Sequence, residues 1–323
     1  MNVLTYLLAA PVVRGPYKDI RHVYKVHASC PFSGSVERAL WAGFHADRMG
    51  YAFVGGYTSA LGRLTSTIEK LDRPLPARVC LAATESGGGH PKAIKARIDK
   101  QGGALVLNGE KTFATLAMQA EEMLVVASRG TESEGKNRLR VVRVKPSAPG
   151  VTLTARPETP FTPEIPHAIV KLENVTVENT DMLPGDGYDT YLKPFRTIED
   201  THVLAATIGY VAGVARHYGF SKDVVAECVS AALALVDVGA RDATKPLTHV
   251  VLAGIFAQAK RFVGSLGDEW AKVEESERAR WQRDLPILLV AEGVRAKRTE
   301  RAFESVSTPS QLPPEATGTL PMP

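Results

Sequence analysis

The fold is decided by the stretch Thr84-Glu85-Ser86-Gly87-Gly88-Gly89-His90, followed by Leu107-Asn108-Gly109-Glu110-Lys111-Thr112-Phe113-Ala114-Thr115. The first stretch is a Gly-rich turn that closes a predicted strand, and glycines leave space where the backbone must approach another group. Free N–H groups at such a turn can bind a phosphate or another anion. The second stretch predicts a strand pair with a tight Asn108-Gly109 turn, ending on an aromatic and a hydroxyl residue. A Gly-rich loop taken alone is more often only a loop, so its meaning depends on its neighbours.

The hydrophobic pattern divides the chain into helical, β and helical blocks. Residues 1–30 are predicted to be extended or irregular, and helical spacing begins at Ser35, with a second helix over 59–71. From Arg78 to about Leu183 the period changes to two, with Pro-rich and Gly-rich punctuation that is typical of a barrel or sandwich. Helical spacing then returns. The predicted later helices cover 198–214, 224–238, 248–266 and 285–304.

These blocks predict an α+β protein with an N-terminal helical region (1–77), a central antiparallel β-barrel or sandwich (78–185), a C-terminal helical bundle (186–304) and a flexible tail (305–323). Within the β block, the alternating residues 93–98 predict a half-buried strand. Gly102-Gly103 is a second predicted hairpin turn. Arg295, Lys297, Arg298 and Arg301 are expected on a solvated helix face.

Composition excludes several classes of protein. The chain has 323 residues, 44% apolar and 23% charged, and a net charge of +4 from 39 basic and 35 acidic residues, which is too small an excess to indicate nucleic-acid binding. No apolar run approaches the roughly 18–20 residues of a membrane span, and the apolar N-terminus lacks the basic lead of a signal peptide. Cys30, Cys80 and Cys228 are far apart, which predicts no metal site and fits a reducing cytoplasm.

Four landmarks in this order resemble the acyl-CoA dehydrogenase family of flavoenzymes. In that family a strand ending in Thr-Glu-Pro-Gly-Ala-Gly-Ser-Asp precedes a Leu-Asn-Gly-x-Lys-x-Trp-Ile-Thr-Asn hairpin, and 84–91 and 107–115 follow both patterns. Val170-Lys171-Leu172-Glu173-Asn174-Val175-Thr176-Val177 and Leu183-Pro184-Gly185-Asp186-Gly187-Tyr188 look like the strand and loop that leave the family's β-domain. The resemblance covers roughly 41–213 and implies a flavin, FAD, at the junction of the β and helical domains.

The resemblance also implies residues for the flavin ring. Backbone near Leu81, Ala83 and Thr84, together with the Thr84 hydroxyl, would reach the pyrimidine side of the ring. Phe113 stands where an indole normally covers the ring, and Thr115 would donate near the reactive nitrogen. Without the resemblance, Phe113 is equally a core aromatic, and both threonines are ordinary strand hydroxyls.

The same comparison places Gly89 and His90 near a phosphate or the acyl thioester chain. It also shows departures, since Ser86 and His90 replace the family's Pro and Ser, and Pro91 replaces its Asp. The Arg-x-x-Phe-Gly and Gln-x-x-Gly-Gly-x-Gly-Tyr segments, which contribute to the FAD of a neighbouring subunit in the family, do not occur in this sequence. FAD is therefore expected to bind weakly, to bind with a partner chain, or not to bind.

The resemblance implies Glu199 as the catalytic base. The family's commoner base, in a Tyr-Glu-Gly-Thr loop near the C-terminus, has no counterpart in this sequence, whereas alignment through Ile208-Gly209 puts Glu199 at the less common position. Asp200 follows it, where the family usually has Arg, and would repel a nearby phosphate or carboxylate. The alternative is that Glu199 and Asp200 only stabilise a helix N-terminus capped by Thr197.

Three functional hypotheses follow. The first is an FAD-dependent oxidoreductase that dehydrogenates the α,β bond of an acyl-CoA or similar acyl thioester, as a homodimer or tetramer. The second is a non-catalytic homologue that acts as a scaffold or completes the site of a second dehydrogenase subunit. The third is a flavin monooxygenase or oxidase on the same fold, since fold does not fix function.

Overall fold

The computed structural model describes residues 1–66, 68, 73–131 and 135–306. It begins with helices α1 (Val3–Ala9), α2 (Ile20–Ala28), α3 (Ser35–His45) and α4 (Met49–Ser66). The prediction that residues 1–30 are extended or irregular is therefore wrong. The Asn2 and Asp19 side chains cap α1 and α2, each accepting a backbone N–H at 2.9 Å. Both helices are short and bury apolar residues in the core, so tertiary packing supplies stability that their length does not.

The boundary between the two central helices also differs from the prediction. The chain bends at residues 46–48, and α4 then runs without interruption through Thr58 and Ser59, where a second helix was expected to begin. The predicted end of that helix, at residue 71, lies outside the described residues.

The central sheet contains β1 (Val79–Ala82), β2 (Arg97–Gln101), β3 (Ala104–Thr115), β4 (Glu122–Thr131), β5 (Asn137–Val144), β6 (Val151–Ala155) and β7 (His167–Val177). Its strand order is β1-β4-β2-β3-β7-β6, with β5 paired to β4. The pairs β2–β3, β3–β7, β4–β5 and β6–β7 are antiparallel, whereas β4 pairs in parallel with β1 along four residues and with β2 at one. The predicted α+β class with a central sheet between helical blocks is confirmed.

Two local predictions in the sheet are wrong. Asn108-Gly109 lies inside β3 as an irregularity in the pairing with β7, whereas the other predicted hairpin turn, Gly102-Gly103, is confirmed between β2 and β3. Gly109 adopts φ +143°, and a Cβ there would lie 2.5 Å from Ala96, so glycine is required by a close backbone approach and not by a chain reversal. Of residues 93–98, predicted as one strand, Ala93 ends the 3-10 turn Pro91–Ala93, residues 94–96 form a loop, and only Arg97 and Ile98 lie in β2.

After the sheet, a π-helical turn (Gly187–Leu192) leads into α5 (Lys193–Tyr218). Helices α6 (Lys222–Ala240), α7 (Pro246–Ser265), α8 (Glu275–Asp284) and α9 (Glu292–Val306) complete the described C-terminal part. The predicted helix over 285–304 is interrupted, because Leu285–Leu289 is a 3-10 turn and Ala291 adopts φ +59° before α9 begins. The predicted tail beyond residue 306 lies outside the described residues.

Small residues bring the central helices together. A Cβ at Gly209 of α5 would lie 2.1 Å from the Leu40 carbonyl oxygen of α3, and one at Gly213 would lie 2.3 Å from the Phe44 oxygen. From the other side, a Cβ at Gly43 would lie 2.0 Å from the Ala206 oxygen. The two backbones are therefore in near contact, and the second half of α5 is fixed against α3. Within the described ranges, no helix has both the length and the apolar character to cross a membrane.

Candidate functional site

A cavity of about 390 Å³ lies where the edge of the sheet meets α4, α5 and the segment before α9. Its walls include Phe53 and Tyr57 of α4, the end of β1 and the last residues of β3. Apolar side chains form most of the surface, and a few polar groups converge on it, which is the usual character of a small-molecule site.

The structure brings most of the predicted site residues into this cavity wall. The residues of the prediction that line it are Leu81, Ala83, Thr84, Gly89, Phe113, Thr115 and Glu199. His90 is the exception. Its side chain caps the 3-10 turn Pro91–Ala93 and accepts the Lys92 N–H at 3.3 Å, so the structure does not place it in the cavity.

The Gly-rich turn is held in place by a buried ion pair. Lys111 Nζ lies 2.6 Å from Glu85 Oε1, and the two side chains are 0% and 6% exposed. Glu85 also accepts the Lys95 and Ala96 N–H groups, at 2.7 and 3.0 Å. These bonds satisfy the carboxylate on both oxygens, so the turn that follows Thr84 has a fixed course past the cavity.

The end of β3 presents an aromatic ring and a hydroxyl to the cavity. The Phe113 ring packs on His167 with centroids 4.2 Å apart, and the Arg156 guanidinium lies 5.2 Å from the Phe113 centroid. The Thr115 hydroxyl lies 3.2 Å from His167 Nδ1. Burial, with the charge of Arg156, lowers the pKa of His167 to about 4, so this imidazole is neutral near pH 7 and serves as a hydrogen-bonding partner.

Two of the expected flavin contacts have partners inside the protein. The Leu81 N–H donates to the Tyr57 hydroxyl at 3.1 Å, and Lys111 Nζ lies 3.4 Å from the Ala83 carbonyl oxygen. His167 covers part of Phe113. Tyr57 and His167 are thus site residues that the sequence analysis missed, since neither stands in a motif.

Glu199 lies on the face of α5 that borders the cavity, four residues after Phe195 and four before Val203. Its side chain is half-buried, and among the described residues it has no hydrogen-bond or ion-pair partner. Burial, with the negative charge of Asp200, raises the pKa of Glu199 to about 8. A carboxyl group of this kind is a candidate for proton transfer, because structural carboxylates are normally paired.

The alternative interpretation of Glu199 as a helix-capping residue is wrong. Helix α5 begins at Lys193, with Pro194 in its first turn, so Thr197 and Glu199 lie in the helix interior. Thr197 is buried and its hydroxyl has no hydrogen-bond partner among the described residues. The capping prediction failed because the π-helical turn, capped by Asp186, carries the chain smoothly into α5.

Asp200 is neutralised by the helix that was expected to be solvated. Arg295 Nη1 lies 3.0 Å from Asp200 Oδ1, and Arg298 Nη2 lies 2.6 Å from Oδ2. The Arg295 guanidinium also lies 4.3 Å from the Phe256 ring centroid. The prediction that Arg295 and Arg298 lie on a solvated face is therefore wrong, and Asp200 does not present an unpaired charge to a phosphate or carboxylate.

The residues of the cavity fit a flavin in part. Arg196 Nη2 donates to the Gly89 carbonyl at 3.0 Å and has no carboxylate partner among the described residues, so a positive charge stands beside the Gly-rich turn. The Thr84 hydroxyl lies in the cavity wall without a hydrogen bond among the described residues, and apolar side chains complete the walls. A positive charge for a phosphate, a free hydroxyl and a flat apolar slot are what a flavin requires.

One acidic residue near the cavity escaped the sequence analysis. Glu292 and Gly293 begin α9 directly after the cavity-lining Val290 and Ala291, and they match the Glu-Gly centre of the Tyr-Glu-Gly-Thr loop. Glu292 is exposed and forms an ion pair with Lys260, which holds its pKa below the ordinary value. The match was missed because neither flanking residue, Ala291 or Val294, agrees with the family pattern.

Comparisons with known proteins agree with the geometry. Residues 80–175 match the family model for the acyl-CoA dehydrogenase middle domain. A protein named as a probable acyl-CoA dehydrogenase, YngJ of Bacillus subtilis (strain 168), is 31% identical over 113 residues, which are 34% of this chain and 28% of that relative. The matched segment thus spans less than a third of the relative.

Solved structures are similar over nearly the whole chain. The prolyl acyl carrier protein oxidase AnaB has a TM-score of 0.66 at 15% identity, covering 95% of this chain and 97% of that one. Butyryl-CoA dehydrogenase from Megasphaera elsdenii has a TM-score of 0.65 at 14% identity, with 90% and 91% covered. FMN-bound TdsC from Paenibacillus sp. A11-2 has a TM-score of 0.62 at 14% identity, with 91% and 86% covered.

The chain therefore shares its fold with solved structures whose names include both a dehydrogenase and an oxidase. This chain has the acyl-CoA dehydrogenase fold, and its residues 80–175 match the middle domain of that family. The predicted resemblance to that family is confirmed.

Proposed function

We propose that this protein is a flavin-dependent oxidoreductase that binds FAD in the cavity and dehydrogenates the α,β bond of an acyl thioester. The observation that carries the proposal is Glu199, an unpaired carboxyl group on the cavity wall with a pKa raised to about 8. The fold shared with a dehydrogenase supports dehydrogenation as the reaction, and the cavity is the proposed place where it occurs.

In this reaction the Cα–H proton passes to the Glu199 carboxylate, and the electron pair of that bond forms the double bond to Cβ. When bound, a flavin supplies the acceptor for the β-hydrogen, which leaves as hydride. The apolar residues Phe195, Val203 and Leu204 flank Glu199 on α5 and limit water around it. A poorly solvated carboxylate is a stronger base than one in water, so burial assists proton removal once Glu199 is ionised.

The other polar residues would position the ligands. Arg196, held on Gly89, would bind a phosphate beside the Gly-rich turn, and the Thr84 and Thr115 hydroxyls would hydrogen-bond the ring. The pairing of Asp200 with Arg295 keeps a second carboxylate from competing for the proton. We propose that the protein works as a homo-oligomer, either a dimer or a tetramer.

Addition of FAD to the purified protein tests cofactor binding. Stopped-flow measurement of flavin reduction by an acyl-CoA tests the reaction. We expect Glu199→Gln to retain the flavin while lowering the rate of reduction by several orders of magnitude. Glu292→Gln is the matched control, because Glu292 is exposed and paired with Lys260, and we expect its rate to stay within about twofold of the wild type. If Glu292→Gln abolishes reduction and Glu199→Gln does not, the assignment of the base is wrong.

The rate also has an expected pH dependence. Only the ionised form of Glu199 can accept the proton, so kcat/KM should rise with pH and level off above about pH 8. A profile that levels off near pH 5 would indicate a solvated carboxylate and would contradict this environment for Glu199.

A second candidate, a non-catalytic homologue, is favoured by one observation. The Leu81 N–H, expected to reach the flavin, already donates to Tyr57. Protein that remains colourless after incubation with FAD, and that co-purifies with another dehydrogenase subunit, would support this candidate over the first.

The oxidase alternative is favoured by the structural likeness to the oxidase AnaB. Reduced enzyme that consumes oxygen faster than it reduces an artificial electron acceptor would support oxidase or monooxygenase chemistry in the same cavity.

A further inference from the structure

A second and larger cavity lies on the other side of α4. This α4 cleft has a volume of about 1620 Å³, and its walls are α2, the first turn of α3, the C-terminal half of α4, the start of β1 and the end of α6. None of its described lining residues lines the cavity that contains Glu199. The cleft is therefore a separate feature, to which the proposed dehydrogenase reaction assigns no role.

The charges of the cleft are strongly one-sided. Among the described residues, five cationic side chains line it: Arg21, Lys25, Arg38, Arg63 and Arg78. Glu37 is the lining carboxylate among the described residues, and its Oε2 accepts the Gly34 N–H at 3.2 Å, where it serves the start of α3.

Three of these cations have no acidic partner among the described residues. Arg21, Lys25 and Arg63 come from α2 and α4 and form no described ion pair or side-chain hydrogen bond. Arg78 forms an ion pair with Glu121 at 3.3 Å. Arg38 donates to the main-chain oxygens of Phe32 and His27. Part of the hydrogen-bonding capacity of these two arginines is therefore already used within the protein. The free cations come from two helices, so they can neutralise a ligand that carries more than one negative charge.

Two histidines near the cleft are kept neutral mainly by burial. Burial, with the charge of Arg38, lowers the pKa of His27 to about 4, and burial, with the charge of Arg63, lowers that of His202 to about 4. The neutral His27 ring lies 2.9 Å from the Ser59 hydroxyl. The two histidines are therefore neutral near pH 7, and the arginines and the lysine supply the charge of the cleft.

The cleft also has an apolar part. Tyr24, Leu75 and Met118 line it, and the Met118 side chain is 48% exposed although it is apolar. The Arg78 guanidinium lies 6.0 Å from the Tyr24 ring centroid, at the boundary between the apolar and cationic parts. A flat apolar surface next to clustered cations suits a ligand that joins a planar ring to phosphates.

We propose that the α4 cleft binds a nucleoside di- or triphosphate. The phosphates contact Lys25, Arg63 and Arg21, and the base lies on the surface formed by Tyr24 and Met118. The concave shape favours a small molecule over a protein surface. The proposal is independent of the flavin site, since the two cavities share no described lining residue.

Calorimetric titration of the purified full chain tests the proposal, with inorganic pyrophosphate, ADP and adenosine as the three ligands. We expect ADP to bind more tightly than pyrophosphate, because the base adds contact, and adenosine to bind at least tenfold more weakly than ADP. The affinity for ADP should fall as NaCl is raised, since the lining charges are partly solvated.

Charge-removing variants locate the site. Arg63→Gln and Lys25→Gln should each weaken ADP binding about tenfold, which is the effect of losing one charge-assisted contact. The matched controls are Arg261→Gln and Lys100→Gln, since both residues are exposed and line neither cavity. Unchanged circular dichroism of each variant shows that the fold is retained.

Several results would overturn the proposal. They are the absence of ADP binding by the wild type at low salt, equal affinity for adenosine and ADP, and equal losses in the cleft variants and their controls. None of these results would bear on the proposed flavin site, because flavin binding is measured separately by the absorption spectrum.

Discussion

Lys111 Nζ lies 2.6 Å from Glu85 Oε1, and this buried ion pair joins the Gly-rich turn after β1 to the second half of β3. Glu85 follows the threonine at the cavity, and Lys111 stands two residues before Phe113. The bridge between Thr84 and Phe113 continues the same contact at the level of the backbone. The turn and the strand therefore form one unit, which explains why both motifs occur together.

Lys111→Met should lower the free energy of unfolding by about 3–5 kcal/mol, because it leaves the Glu85 carboxylate buried without its counter-charge. Urea unfolding monitored by circular dichroism measures the loss. Glu85→Gln combined with Lys111→Met should cost less than Lys111→Met alone. The control is Lys171→Met, which removes the exposed pair with Glu173 and should change the free energy of unfolding much less than Lys111→Met, because water solvates both charges. Equal losses for Lys111 and Lys171 would contradict the importance of the buried pair.

Glu199 should make the stability of the ligand-free protein depend on pH. Its pKa is about 8 in the folded protein and near 4.5 when unfolded, so the unfolded state binds fewer protons between these values and stability falls as pH rises. Glu199→Gln removes this contribution. The stability of the variant relative to the wild type should therefore increase by at most about 1.4 kcal/mol per pH unit in that window. Unfolding curves at pH 5, 6.5 and 8 measure the difference, and a constant difference would refute the raised pKa.

Two glycines on helices allow a matched test of the close packing between α3 and α5. Gly209→Ala should destabilise the protein by about 1–3 kcal/mol, because the new methyl group would lie 2.1 Å from the Leu40 carbonyl oxygen. Gly254→Ala on α7 meets no atom within 4 Å and should stabilise by about 0.5–1 kcal/mol through helix propensity. Thermal unfolding of both variants checks the contrast, and equal changes would show that the two helices can separate without cost.

Asp200→Asn should loosen the attachment of α9 to α5. The change weakens the bonds to Arg295 and Arg298, so amide hydrogen exchange should become faster within 292–306. It also removes a negative charge beside Glu199, whose pKa should fall. Hydrogen exchange by mass spectrometry and a pH titration of Glu199 measure the two effects. Asp237→Asn, which breaks the exposed pair with Arg241 on α6, is the control and should change neither.

The sequence predicted the order of helical and β blocks because hydrophobic periodicity extends over many residues. Glu199 and Thr115 line one cavity in the structure, and the sequence analysis selected both only through resemblance to a known family, so their roles stay predictions. Spacing alone could not place Tyr57 there, since nothing in the pattern of α4 distinguishes a cavity-lining tyrosine from a core tyrosine.

The failures share a physical cause, which is that local signals were outweighed by tertiary contacts. Asn108-Gly109 has the composition of a tight turn, yet the long pairing of β3 with β7 keeps it inside a strand. Arg295 and Arg298 have the composition of a solvated face, yet they turn toward Asp200, which lies 95 and 98 residues away in sequence. Ion pairs of this separation leave no trace in the periodicity of either helix.

Helix α4 presents Phe53 and Tyr57 to one cavity and Thr58 and Ser59 to the cleft behind it. A single helix thus separates the two cavities and lines both of them. A substitution in α4 should therefore be tested for ligand binding at both cavities. Adjacent residues face different cavities, since Tyr57 lines one and Thr58 lines the other.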